Sequence, residues 1–285
     1  MSDSYRSFLR PAQLPHVWCP GCGNGTIVRA MLEAVEDLGL PKDDVAVISG
    51  IGCSGRTTTI LDFNTMHTTH GRALAFAAGV KLANPKLKVI VVMGDGDSSA
   101  IGGNHLIHAC RRNLDLTALI FNNAIYGLTG GQQAPTTPAG KRSTTSTLGS
   151  IDQPFDLVKL CLGAGAGFVA RSTSFDHQNL ASLIRRAIEY PGFAVVDILT
   201  ACPTYFGRMN DVGEPYDMLG YLRDTTQPLD PFVETSFDDA PYDTPVQAED
   251  LPPLPIGLFR DEPRPDYGTL YQSRIAASAQ KGKKK

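Results

Sequence analysis

No stretch of this chain approaches the roughly 18 consecutive apolar residues that a membrane-spanning helix needs. Its opening residues, MSDSYRSFLRPAQLPHVW, have no apolar core of the kind a secretory signal carries. Positive charge is not in excess either: 26 Lys and Arg against 29 Asp and Glu leave a formal net charge of −3, which offers no basic field to nucleic acid. Six cysteines in 285 residues are too few for a disulfide scaffold, because disulfide-dense chains are short and secreted. These absences leave a cytoplasmic enzyme as the expectation. Hydrophobic residues make up 42% of the chain, enough to bury a sizeable core in one domain followed by a tail.

Two β-branched apolar runs organise what is present. Lys88 to Met93 (KVIVVM) ends in Gly94-Asp95-Gly96-Asp97, and Leu116 to Phe121 (LTALIF) ends in Asn122-Asn123. Between them, Ile101 to Arg112 has the length and composition of a helix. A strand, helix, strand unit places its parallel strands with both C-terminal ends on one sheet edge. Open α/β sheets bind ligands at that edge. The Asp95 carboxylate and the Asn123 side-chain oxygen would stand there side by side, as hard oxygen ligands suited to Mg²⁺. Gly94 and Gly96 let a diphosphate approach the backbone closely.

The rest of the chain continues the alternation. Residues 1–18 carry Pro11 and Pro15 and read as an extended arm. Ile27, Met31, Ala34, Val35 and Leu38 fall on one helix face, stopped by Gly39 and Pro41. Val45 to Ile48 reads as a strand, residues 57–69 as a loop over the ligand edge, and His70 to Leu82 as a helix. The polar stretch Gly127 to Ser150, with five glycines and two prolines, is long enough to suggest a loop covering a ligand. Phe155 to Leu162 and Leu180 to Tyr190 read as helices, Phe168 to Arg171 and Phe193 to Leu199 as strands. Gly163-x-Gly165-x-Gly167 reads as a helix-to-strand turn, since no strand precedes it. The fold class is therefore α/β, a mostly parallel sheet with helices on both faces. Residues 1–213 form its main domain, and residues 214–285 a Pro-rich extension that wraps a surface without a core of its own.

Cys53 follows the Val45 strand and Cys202 the Phe193 strand, so both reach the edge that carries Asp95 and Asn123. The Cys19-Pro20-Gly21-Cys22 loop can reach it too. Cys110 and Cys161, inside helices, read as small buried hydrophobes. Four converging thiolates suit either Zn²⁺ or a 4Fe-4S cluster, and ligand softness does not separate the two.

The motifs WCPGCGNG, GIGCSGR, HTTHGRA, GDGDSSAIGGNH, NNAIYGLTGGQ and CPTYFGR, with 28 residues from Asp95 to Asn123, resemble the β subunits of 2-oxoacid:ferredoxin oxidoreductases, nearest the 2-oxoglutarate type. The resemblance runs from about Arg10 to Asn210. It implies a thiamine diphosphate-binding fold, with Mg²⁺ held by Asp95, Asn123 and the carbonyl of Ile125. It also implies a 4Fe-4S cluster on Cys19, Cys22, Cys53 and Cys202. Cofactor contacts are expected from Gly52, Ser54, Gly94, Gly96, Asp97, Tyr126, Gly127, Thr129 and Gly130, with Gly131 beside them. The implied reaction is oxidative decarboxylation of 2-oxoglutarate with coenzyme A, or its reverse, with electrons passing through the cluster to ferredoxin. Pyruvate or a branched-chain 2-oxoacid is the alternative substrate.

Arg56, three residues after Cys53, could hold a substrate carboxylate with a bidentate fork. His70 could donate to the diphosphate or to a substrate carbonyl, while His67 reads as a loop residue. Enzymes that use thiamine need a glutamate in an apolar setting to activate the cofactor, and the seven glutamates here are poorly placed for it. Glu33 and Glu36 lie on a polar helix side, Glu189 near a helix end, and Glu214, Glu234, Glu249 and Glu262 in the extension. The resemblance assigns that group to a separate α subunit, so the chain is expected to work as a heteromer.

Overall fold

The protein is described from a computed structural model over residues 3–230 and 252–282. In chain order its elements are α1 (Asn24–Asp37), β1 (Val45–Ser49), α2 (Thr57–Ile60), β2 (Asn64–His67), α3 (Ala73–Ala83), β3 (Lys88–Gly94), α4 (Asp95–Ser99), α5 (Gly103–Arg112) and β4 (Leu116–Asn122). A small hairpin, β5 (Ile125–Tyr126) and β6 (Gln132–Gln133), precedes α6 (Leu157–Gly163), β7 (Phe168–Thr173), α7 (His177–Glu189) and β8 (Phe193–Leu199). Then come α8 (Pro215–Asp224), β9 (Thr226–Pro228), β10 (Leu254–Asp261) and α9 (Tyr267–Gly282).

Eight strands form one sheet in the order β2-β1-β3-β4-β8-β7-β10-β9. It is parallel from β2 to β7, as βαβ crossovers require. The central strands are buried along nearly their whole length, as a sheet covered on both faces demands, and successive side chains alternate between the two faces. Val45, Val47, Ile90, Val92 and Leu119 join the core under α1 and α7, while Ala46, Ile48, Val89, Val91 and Ile120 join a second core under α3, α5 and α6. After β1 the chain turns outward to β2, and after β3 it turns the other way to β4. A crevice therefore opens between β1 and β3 at their C-terminal ends.

Three sequence expectations need correction. The N-terminal arm is not extended: it folds into 3₁₀ turns at Asp3–Phe8 and Pro11–Gln13, with Phe8 stacked on Phe63 at 5.1 Å. The Arg10 N–H donates to the Ile60 carbonyl and the Asp62 N–H to that of Phe8, which fixes the arm against α2. Residues 57–69 are not a loop but a short helix and a strand. β2 lacks apolar alternation because it is an exposed edge, held by main-chain pairing to β1 and by Asn64 Nδ2 donating to the Val45 carbonyl at 3.1 Å. Finally, the Pro-rich extension does enter cores. β10 pairs antiparallel with β7, and Met218 and Leu222 of α8 are buried with Ile125, Cys202 and Phe206. The Gly163 to Gly167 stretch is the helix-to-strand turn its context suggests.

Candidate active site

Asp95 begins α4 directly after β3, and only 3% of it is exposed. Burial pushes its carboxyl up to about 7, even though Thr136 Oγ1 donates to Oδ2 at 2.5 Å. A carboxyl so placed gains most from an adjacent cation. Register pairing of Gly94 with Phe121 sets Asn122, the last residue of β4, and Asn123 just after it beside Asp95. Asn123 Oδ1 accepts the Ile125 N–H at 3.3 Å across a turn in which Ala124 is left-handed, with φ 58°. The donor set of Asp95, Asn123 and the Ile125 carbonyl is all hard oxygen with a single carboxylate, and its chemistry fits Mg²⁺.

A small pocket, partly open to solvent, lies here against the ends of β3 and β4. Gly52, Ser54, His70, Gly94, Asp95, Gly96, Asp97, Asn123, Ile125, Tyr126, Gly127 and Thr129 all line it. Arg56 and Gly130 are not among its walls. Arg56 is exposed beyond Cys53, so the geometry gives it no place against the pocket, and Gly130 and Gly131 form the β5–β6 turn with positive φ. The Thr129 hydroxyl donates to Gln132 at 2.7 Å. Asn24, Ile51, Phe121 and Leu128 also line the pocket and were not expected from the motifs.

Two of these lining residues also have partners within the chain. A Cβ on Gly96 would lie 2.3 Å from Tyr126 Cζ, so the bare Gly96 backbone makes room for the Tyr126 ring, whose hydroxyl donates to the Gly96 carbonyl at 3.2 Å. Asp97 Oδ1 accepts from His70 Nδ1, from the Gly71 N–H at 2.7 Å and from the Ile51 N–H at 3.4 Å. That leaves His70 Nε2 as the ring atom free to serve the pocket. His67 is on β2 rather than in a loop, with Nδ1 3.1 Å from the Gly55 carbonyl. Among the described residues no glutamate lines the pocket. Glu234 and Glu249 lie outside the described residues.

The four cysteines singled out by their position gather at the same edge. The point where a Gly127 Cβ would sit lies 3.3 Å from Cys202 Sγ, 3.8 Å from Cys53 Sγ and 3.8 Å from Asn123 Nδ2. Trp18 Nε1 donates to the Cys53 carbonyl at 2.7 Å and ties the Cys19 to Cys22 loop to the loop after β1. Gly21, at φ 79°, packs so close to Pro215 that a Cβ would be 2.2 Å from it. Burial pushes the Cys22 and Cys53 thiols up to about 11, with smaller upward contributions from Cys53, Cys19 and Cys202 on Cys22 and from Cys202 and Cys19 on Cys53. Cys202 is also raised by burial, though the N–H groups of Phe206, Tyr205 and Thr204 counter it and would favour its thiolate. Among the described residues no group of three or more His, Cys, Asp or Glu stands ready to hold a single metal ion. Tetrahedral zinc draws four sulfurs to about 2.3 Å from one centre. A four-iron cluster also takes four cysteines, spread around a larger body. Cys110 and Cys161 are fully buried elsewhere, as expected.

Comparison with known proteins places this geometry. The family described as thiamine pyrophosphate enzyme, C-terminal TPP binding domain, matches residues 50–198. The chain is 47% identical over 262 residues to the 2-oxoglutarate synthase subunit KorB of Archaeoglobus fulgidus, covering 92% of this chain and 91% of that one. It is 38% identical to the 2-oxoglutarate oxidoreductase subunit KorB of Mycobacterium tuberculosis, covering 92% and 79%. Among solved structures it is similar to the 2-oxoglutarate:ferredoxin oxidoreductase from Magnetococcus marinus with 2-oxoglutarate, coenzyme A and succinyl-CoA bound. The TM-score is 0.82 and the identity 34%, over 96% of this chain and 90% of that one.

Proposed function

The chain belongs to the thiamine pyrophosphate-dependent 2-oxoacid:ferredoxin oxidoreductases as a β subunit, and from that premise we propose how its residues divide the work. The enzyme oxidatively decarboxylates 2-oxoglutarate with coenzyme A to succinyl-CoA, or runs the reverse. Asp95, Asn123 and the Ile125 carbonyl hold Mg²⁺ and, through it, the cofactor diphosphate. Thiamine diphosphate supplies the electron sink for the carbon that loses CO₂. His70, aimed by Asp97, presents Nε2 to the reacting carbonyl. Cys19, Cys22, Cys53 and Cys202 would ligate a 4Fe-4S cluster, which would supply the electron path to ferredoxin. Tyr126, Gly127 and the loop after β1, with Gly52 and Ser54, wall the cofactor in.

One observation carries this reading: Asn123 and the sulfurs of Cys53 and Cys202 all lie within 4 Å of a single point at Gly127. An electron donor held by the first and an acceptor held by the others are thereby neighbours. Among the described residues no glutamate lines the pocket, so the α subunit is assigned the group that activates the cofactor. In the anaerobic assembled enzyme, 2-oxoglutarate with coenzyme A is expected to bleach the visible absorbance of the cluster. This chain alone, loaded with cofactor and cluster, should give no turnover. Turnover by the isolated chain overturns the partner assignment, and iron-free preparations with full activity overturn the cluster.

Gly96→Ala tests the pocket wall. Overpacking against the Tyr126 ring costs about 1–3 kcal/mol, so thiamine diphosphate affinity should fall roughly 10-fold in calorimetric titration of the assembled enzyme. Unchanged affinity would mean that the Tyr126 ring has no part in holding the cofactor.

A further inference from the structure

Behind the metal turn lies a buried ionic group that the reaction does not use. Arg171 on β7 has a side chain only 3% exposed. Its Nε donates to Asp197 Oδ2 at 2.9 Å, its second nitrogen pairs with Asp156, and Phe259 of β10 lies under the guanidinium at 5.8 Å. Burial opposes its charge, but the two carboxylates outweigh burial and keep it protonated. A buried pair of this kind adds little net stability compared with well-packed apolar residues. Its value has to be sought in what it orients.

Asp197 Oδ1 accepts from Asn122 Nδ2 at 3.0 Å, and Asn122 Oδ1 accepts the Ala124 N–H at 3.3 Å. A main-chain N–H only donates, so Asn122 must present Oδ1 to Ala124 and therefore Nδ2 to Asp197. Ala124 is thus pinned in its left-handed conformation from one side, while Thr137 Oγ1 donates to its carbonyl at 2.7 Å from the other. Asn123 and Ile125, the metal-binding pair, flank it.

We propose that Asn122 is a positioning residue for the cofactor metal: held by Asp197, which Arg171 fixes, it sets the turn that aims Asn123 and the Ile125 carbonyl at Mg²⁺. This rests on the metal assignment above and adds a role for the neighbouring asparagine. β10, through Phe259, lends the extension a share in the brace.

The test uses the assembled αβ enzyme stripped of thiamine diphosphate and Mg²⁺. Asn122→Leu keeps the volume and loses both hydrogen bonds, Asn122→Ala removes the side chain, and Asp197→Asn weakens the hold while keeping the shape. Calorimetric titration with Mg²⁺ and thiamine diphosphate is compared with the melting temperature of each stripped complex. Loss of a group that orients a metal ligand typically costs about 10- to 100-fold in affinity. That loss is expected in both Asn122 variants, with excess Mg²⁺ and cofactor restoring turnover to near wild type. If one Asn122 variant fails to assemble, the other decides. Wild-type affinity in an assembled Asn122 variant, or turnover that excess cofactor does not restore, overturns the proposal. A wild-type complex that binds neither Mg²⁺ nor thiamine diphosphate removes the metal assignment itself.

Discussion

Asp95→Ala is expected to lower thiamine diphosphate affinity and turnover of the assembled enzyme by about 10³-fold. The reason is charge. Asp95 is the one anion in the proposed donor set, since Asn123 and the Ile125 carbonyl are neutral, and a Lewis-acidic ion held at low dielectric contributes several kcal/mol, each 1.36 kcal/mol being about tenfold. Burial holds this carboxyl up to about 7 when no cation is bound, so the chain sustains a costly group that Mg²⁺ relieves. Asp95→Asn keeps an oxygen for Thr136 and should fall between wild type and Ala. The cluster absorbance should persist in both, because Asp95 touches no cysteine. Calorimetry in saturating Mg²⁺ decides it, and near-wild-type affinity in Asp95→Ala would remove Asp95 from the metal site.

Cys202→Ser is expected to strip or cripple the cluster while leaving thiamine diphosphate binding within a few-fold of wild type. Cys202 precedes the turn Pro203–Gly207, whose N–H groups face its sulfur, and it is buried against Phe206. A serine oxygen there is a poor match for iron that takes four thiolates. Iron analysis should fall from about four per chain, and reduction of ferredoxin should stop. Cys110→Ala, in the core between α5 and α6, should retain the iron and serves as the control. Full iron content in Cys202→Ser would show that another ligand completes the cluster.

Much of this site was legible because β3 and β4 are runs of β-branched residues ending in Gly-Asp-Gly and Asn-Asn, and parallel strands joined by a helix end together. Periodicity also located α1, whose ends agree within a few residues with Asn24 and Asp37. Other parts depended on contacts that no local pattern records. β2 is a strand only because β1 offers it main-chain partners. Thr136 meets Asp95 across 41 residues of chain, and nothing around it in the sequence marks it. Asn122 and Asn123 are identical letters in a row. Strand register alone turns one back to Asp197 and leaves the other to the pocket. Asp97 lines the pocket as its place beside Asp95 suggests, while its hydrogen bond with His70, 27 residues away, is marked by no local pattern.

The placement of β10 also bears on how the chain is made. It lies between β7 and β9 in space yet follows both in sequence. Domains assemble from the N-terminal side as they leave the ribosome. β1, β3, β4, β8 and β7 can therefore pair while residues 254–261 are still untranslated. For that interval β7 is an open sheet edge, a ready template for pairing with a neighbouring nascent chain, and Arg171 has no Phe259 beneath it. A pause in translation between β9 and β10 would lengthen that interval, with Asp95 and Asn123 already synthesised.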